Sequence, residues 1–243
     1  KIPPSQLILM ATHNHAAPIQ ICPENFAYGR QLADRMFTLI QTAIASEEGP
    51  ACVPVAQGQN FHTRAVGNAP ADYDMHLLKV NVGDKTLAVL FNHPTHPLQS
   101  SRTHIDTGHP GYAVEFVEAV FPGSVALYAD ACGGNQFPDR GLIMYAPHEE
   151  VITLGRQLGE TAVAIARGET MDVTGKITST LEVISLPLAE PMSYEKAKEL
   201  ATEKKVPLDI GFVPYPHPDR GTNWIRALLR HHEQKIPFPA RTT

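Results

Sequence analysis

A layered α/β domain, in which helices pack against a mixed β-sheet, is predicted by three features of the chain. Short apolar runs alternate with amphipathic helical stretches, two of those runs flank a Gly-Asp-Lys turn, and three of them empty into loops rich in His, Asp, Asn and Gly. In α/β sheets the loops at one strand edge gather into the binding cleft, so function is expected at those loops. At 243 residues the chain can bury a substantial core. Residues 1–243 read as a single domain, with 189–243 as a peripheral helical and loop extension.

Taken in order, residues 6–11 are a short β-prone run, and residues 24–45 carry helical period with Leu32, Met36, Leu39, Ile40 and Ala43 on one face. Residues 51–55 are apolar enough for a strand, while 57–74 are polar, contain glycine and read as a surface loop. Residues 75–82 and 86–91 flank Gly83-Asp84-Lys85 as a hairpin. The run Leu87-Ala88-Val89-Leu90-Phe91 is apolar throughout, which predicts burial on both faces. It ends in Asn92-His93-Pro94-Thr95-His96-Pro97, where each histidine precedes a proline that holds the chain extended. His109-Pro110-Gly111 opens a helix that Pro122-Gly123 closes. Residues 124–129 form a third strand, running into Asp130-Ala131-Cys132-Gly133-Gly134-Asn135-Gln136-Phe137-Pro138. A helix spans 147–167 with Val151, Leu154, Leu158, Ala162 and Ile165 inward, and 176–188 alternates enough for a strand or hairpin arm. Ser193 caps a short charged helix, 207–220 is a proline-rich loop holding His217, and a last amphipathic piece surrounds Trp224 and Leu228.

Composition narrows the function. The net charge is −5, with 43% hydrophobic and 19% charged residues, a soluble globular balance. It lacks the basic footprint for nucleic acid or an anionic membrane surface, so neither is expected as a partner. No run approaches the length of a transmembrane segment, and residues 1–4 lack a signal-peptide core. Twelve histidines stand against one tryptophan, many in His-Pro or His-x-His contexts, which raises the expectation of a metal. Cys22, Cys52 and Cys132 have no C-x-x-C spacing, so neither a thiolate zinc site nor a disulfide framework is indicated, with a single Cys22–Cys52 bridge left open.

In an extended segment residues two apart share a side, so His13 and His15 would aim two imidazoles into one cleft. If the three strands are neighbours and run the same way, His13, His15, His93, His96, Asp130, Cys132 and Asn135 surround one site. Zinc suits such a set, and an open coordination position would activate water while a histidine outside the metal shell moves the proton. Asp130 reads either as an orienter of a ligand or as a turn residue, and Cys132 as an alternative nucleophile or an inert thiol. For His93 and His96 the bland reading is an ordinary loop histidine.

These motifs resemble the neutral/alkaline ceramidase family in its N-terminal catalytic domain. Ala11-Thr12-His13-Asn14-His15-Ala16-Ala17-Pro18 is similar to the family's A-T-H-x-H-[SA]-x-P segment. Leu87-Ala88-Val89-Leu90-Phe91-Asn92, followed by His96-Pro97, resembles its second histidine strand; Pro110-Gly111-Tyr112-Ala113 its P-G-Y-A helix start; and residues 131–138 its glycine-aspartate loop. The resemblance implies that His13 and His96 are zinc ligands, with His93 as the fallback, and that His15 faces the substrate. Asp130 and Asn135 join His15 as the expected catalytic set. The activity it implies is zinc-dependent hydrolysis of an amide or ester bond in a small-molecule or lipid-like amide.

Two departures qualify that expectation. The family completes its zinc shell with a glutamate and a tyrosine from well downstream, so the chain reads as an incomplete portion of a longer protein, or else Asp106, Asp130 or His109 serves instead. Phe137 stands where the family carries its catalytic serine, so ceramide hydrolysis itself does not carry over. A degenerate domain that binds metal or ligand without turnover, and a cysteine-nucleophile acyl transferase using Cys132, are the competing readings.

Overall fold

The computed structural model describes residues 2–18, 23–46, 49–101, 103–138, 144–210, 218–238 and 241–242, so Cys22 and His217 lie outside the described residues. The chain divides into two compact units, Lys1–Ile19 with Ala27–Thr178, and Gln20–Phe26 with Ser179–Thr243. The fold class is the predicted mixed α/β.

In the larger unit the helical period of the N-terminal region becomes α1 (Phe26–Ala45), preceded by a 3-10 turn at Pro23–Asn25. Strand β1 (Pro54–Gln59) begins three residues later than the apolar run suggests, with Cys52 ahead of it pairing to Asn81 in an isolated bridge of the same register. The segment read as a polar loop contains a strand, β2 (Thr63–Ala65), whose partner lies far along the chain and leaves no local signal. The hairpin is present as β3 (Asp74–Val82) and β4 (Lys85–His93), with Gly83 supplying the positive φ of 56° that the turn requires. Then follow α2 (Gly108–Val120), β5 (Val125–Asp130), β6 (Gln136–Pro138), α3 (His148–Arg167) and β7 (Met171–Asp172).

The main sheet has the order β5-β4-β3-β1-β7. β4 and β5 are parallel neighbours, and the register places His93 opposite Asp130 at their C-terminal ends. The other pairings in this sheet are antiparallel. A separate ribbon joins β2 to β6.

The core lies on one face of the sheet. Met75, Leu77, Val89, Phe91, Ala126 and Tyr128 point at α2 and α3, which contribute Ala113, Val117, Leu158 and Ala162. Val89 and Phe91 are buried while Ala88 and Leu90 are only half-buried, so β4 is covered on one side and not on both as its unbroken apolar run suggests. Helices α2 and α3 pack closely where Gly155 and Gly159 of α3 face α2. A Cβ on Gly155 would lie 2.5 Å from the Tyr112 Cβ and 2.6 Å from the His109 carbonyl oxygen. Gly155→Ala is therefore expected to cost about 1–3 kcal/mol through overpacking, read as a lower urea midpoint by circular dichroism. An unchanged midpoint would mean that the two helices separate freely.

Residues 6–11 do not form the expected strand. Pro4–Gln6 is a 3-10 turn, and the residues from 7 to 14 have no regular pairing. A strand needs a ladder partner, and among the described residues none pairs with this segment. Likewise 176–188 contributes only β8 (Leu186–Pro187), paired with β9 (Arg241–Thr242). The smaller unit is otherwise helical, with α4 (Tyr194–Glu203) and α5 (Asn223–Glu233) enclosing Ala197, Ala201, Val206, Ile225 and Leu229. The Ser193 hydroxyl caps α4 by accepting from the Lys196 N–H at 3.3 Å. Among the described residues, no helix is long and apolar enough to cross a membrane.

Candidate metal centre

Three histidines meet beside the C-terminal ends of β4 and β5. One nitrogen from each of His13, His15 and His96 lies within 4.8 Å of the others, and among the described residues this is the group whose geometry suits a metal ion. His13 and His15 are exposed and His96 is half-buried, so the group faces solvent.

His13 has φ 56°, the left-handed region that only a minority of non-glycine residues occupy, histidine being among the more tolerant. The two N-terminal histidines therefore converge through a turn and not through the strand alternation expected from the sequence. Their rings meet edge to face at 4.6 Å. The turn is tied down by Asn14, whose Nδ2 donates to the Asp106 carbonyl at 2.6 Å and whose Oδ1 accepts from the Ala16 N–H at 2.7 Å. Ala16 is buried, and its carbonyl accepts from the Asp106 N–H at 3.2 Å. Asp106 is itself fixed: burial raises its pKa, but hydrogen bonds from the Ser100 hydroxyl, Ser100 N–H and Gly108 N–H outweigh this and lower it.

His96 is held more firmly. Its Nδ1 lies 2.8 Å from the Gly133 carbonyl oxygen. A carbonyl only accepts, so Nδ1 carries the proton and Nε2 is left with its lone pair directed at the cluster. His13 Nε2 lies 3.0 Å from that atom and is the donor between them. The Phe137 ring stacks on His96 at 4.5 Å and 12°, fixing its plane. Sequence reasoning expected the glycines of this loop to admit a ligand. Gly133 instead admits the histidine loop: a Cβ there would lie 2.9 Å from the Thr95 backbone nitrogen. The supporting roles of Gly133 and Phe137 were therefore missed, and the Gly133-Gly134 pair followed by Phe137 after Asp130 is the signal that marks them.

The electrostatics favour the neutral form of His15. His15 has its pKa lowered by burial first and then by His13 and His96. Asp130 is half-buried, which raises its carboxyl above the usual range, while His13 and His96 draw it back down. The Tyr128 hydroxyl lies 3.5 Å from Asp130 Oδ1 and donates to the His93 carbonyl at 3.0 Å. Burial pushes Tyr128 well above its ordinary pKa, so it stays a donor.

The remaining predicted residues are spread around this centre. His93 ends β4 but its side chain turns into the interior, 2% exposed, with neither ring nitrogen in a hydrogen bond among the described residues, and it does not join the three-histidine group. Burial lowers its pKa to about 4. His109 is also buried; its Nδ1 accepts from the Leu98 N–H at 2.9 Å, and burial lowers its pKa to about 3. Asn135 is exposed, and its main-chain carbonyl accepts from the Val66 N–H at 2.9 Å. Cys132 is an exposed free thiol, and so is Cys52.

No protein-family model and no curated protein matches the sequence. Among solved structures the chain is similar to neutral ceramidase from Pseudomonas aeruginosa, at a TM-score of 0.45 and 18% identity, over 53% of this chain and 24% of that protein's chain.

Proposed function

We propose that the protein is a zinc-dependent hydrolase of amide or ester bonds whose metal is held by His13, His15 and His96. The convergence of three imidazole nitrogens within 4.8 Å of one another supports this reading most strongly. Three protein ligands with an open position is the ligand count of catalytic zinc sites, and neutral histidine is a suitable donor. The fit is good at His96, where the bond to Gly133 leaves Nε2 free of a proton. Bound there, zinc would supply Lewis-acid polarisation of a carbonyl and a lowered pKa for water.

The chain's own groups then divide the proton chemistry. Asp130, raised by burial, is the general base that takes a proton from the attacking water and returns it to the leaving amine or alkoxide. Asn135, on the loop that holds His96 and tied there by its main-chain bond to Val66, would offer its amide to the substrate. The ceramidase-like motifs direct the first substrate screen to small acyl amides, including lipid-like ones.

Elemental analysis of the untagged chain, beside hydrolysis of N-acyl amides with chelator and after zinc is restored, tests the reading. Near one zinc per chain and chelator-sensitive turnover are expected. Metal without turnover on any acyl amide would instead favour the degenerate binding domain, a reading supported by the Phe137 ring lying against His96 where a reactive hydroxyl is absent. Cys132→Ala is expected to retain full activity. Loss of turnover in that variant with metal still bound would turn the assignment towards the thiol.

A further inference from the structure

Three features of the larger unit lack a partner among the described residues. Residues 7–12, Leu-Ile-Leu-Met-Ala-Thr, have the continuous apolar pattern of a strand buried on both faces, yet Ile8 is 88% and Leu9 67% exposed. Helix α1 is 20 residues long and buries none of them, although Leu32, Met36, Leu39 and Ile40 share one face. The sheet face turned away from α2 and α3 is apolar and, among the described residues, has no helix packed on it. Leu78, Leu90 and Leu127 stand side by side across β3, β4 and β5, and a groove of about 770 Å³ runs along this face past Val55 and Met171.

The sheet also offers an edge. Among the described residues β5 is the outermost strand on its side, so its outer row of N–H and C=O groups is open to another strand. The Ala126 N–H has taken a substitute acceptor there, Glu118 Oε1 at 3.0 Å. His13 already lies beside the loop that leaves the β4–β5 edge, its Nε2 3.0 Å from the His96 Nε2. Residues 7–12, laid parallel to β5 (Val125–Asp130), match it in length.

Handedness decides where α1 goes. β4 and β5 are parallel and joined through α2, which lies on the covered face. β1 runs in the same direction as β4, because each is antiparallel to β3. A strand outside β5 connected through α1 to β1 crosses the sheet in the direction opposite to the β4–α2–β5 step. Crossovers between parallel strands are right-handed in about 98% of cases, so reversing the direction moves the helix to the other face, which here is the bare one.

We infer that residues 7–12 and α1 form a strap that closes on the sheet, the segment adding to the edge of β5 as a parallel strand and the helix seating on the bare apolar face. The strap carries His13 and His15, so its closure would hold two members of the candidate metal centre against the sheet; that consequence rests on the metal reading, whereas the docking does not.

Hydrogen exchange on the full chain, read by mass spectrometry in the presence of chelator, tests the strap apart from any metal. Closure predicts that the amides of residues 8–12 exchange at least about tenfold more slowly than an unstructured chain. Leu127→Asp on the sheet and Leu39→Asp on the helix each place a carboxylate in the seam, and each is expected to return residues 8–12 to the unstructured rate while α2 and α3 keep their protection. Both positions are exposed while the strap is open, at 51% and 68%, so neither substitution touches the core. Unstructured exchange of residues 8–12 in the unsubstituted chain overturns the proposal, as does protection that both variants leave unchanged. Protection that develops only at high concentration together with a dimer on size exclusion also overturns it, because the occupant of the face would then be a second copy.

Discussion

Replacing His13 and His96 together by alanine is expected to take bound zinc from near one per chain to background and to abolish chelator-sensitive hydrolysis, with α2 and α3 undisturbed. Both side chains sit at the surface end of the sheet, outside the hydrophobic core, so loss of metal in a folded protein is readable by elemental analysis beside circular dichroism. Removing a group that merely orients a ligand typically costs 10–100-fold in affinity, and a direct ligand costs more, so each single substitution should weaken zinc by more than about a hundredfold. His15 separates two arrangements. As a ligand, its replacement weakens zinc as much as that of His13. As a group facing substrate, which the ceramidase resemblance implies, His15→Ala would keep the metal and lower kcat alone. Phe137→Ala, which frees the His96 ring, should fall between these limits, at about 10–100-fold weaker zinc. Full zinc retention in the double variant would remove the three-histidine assignment altogether.

Much of this arrangement was legible in the residues, for reasons that differ along the chain. The β3–β4 hairpin is written locally, by two apolar runs around Gly83, and α3 by a face repeating at helical spacing from Val151 to Ala162. The condition that strand ends must be parallel neighbours is met for β4 and β5, which bring the His96 loop and Asp130 to one edge. It is not met for residues 6–11, which have no pairing, so His13 and His15 reach the site through a left-handed turn anchored by Asn14. What sequence could not supply is information held by distant partners. The β2–β6 ribbon depends on residues more than seventy positions apart, and the stack of Phe137 on His96 depends on Gly133 being small enough to lie against Thr95. His93 shows the same limit. A histidine before proline at a strand end reads equally as ligand or loop residue, and only the packing of β4 decides that its ring turns inward.

That inward turn gives a second large expected effect, in pH. His93 and His109 are buried, and burial lowers their pKa values to about 4 and about 3, against an ordinary value of 6.5. Both are neutral in the fold, whereas the unfolded chain takes up protons once pH drops below about 6.5. The unfolded state binds more protons in this window, so stability must fall as pH falls. The slope is about 1.4 kcal/mol per pH unit for each histidine, which gives about 2 kcal/mol from each by pH 5 and about 4 kcal/mol from the pair. Asp106, whose pKa is lowered, adds its own loss only in the more acid range of carboxylate titration. The lone tryptophan, Trp224, belongs to the smaller unit, so its fluorescence does not report the core that holds these histidines. Exchange of the α2 and α3 amides, measured with chelator present at pH 7.5 and pH 5, does report it. His109→Asn retains a side-chain oxygen to accept from the Leu98 N–H but cannot titrate, and it is expected to halve the pH-dependent loss whatever its effect on absolute stability. Equal stability at the two pH values would mean that both rings reach solvent or a proton-accepting partner in solution. A full loss retained in His109→Asn would assign the acid sensitivity to other groups.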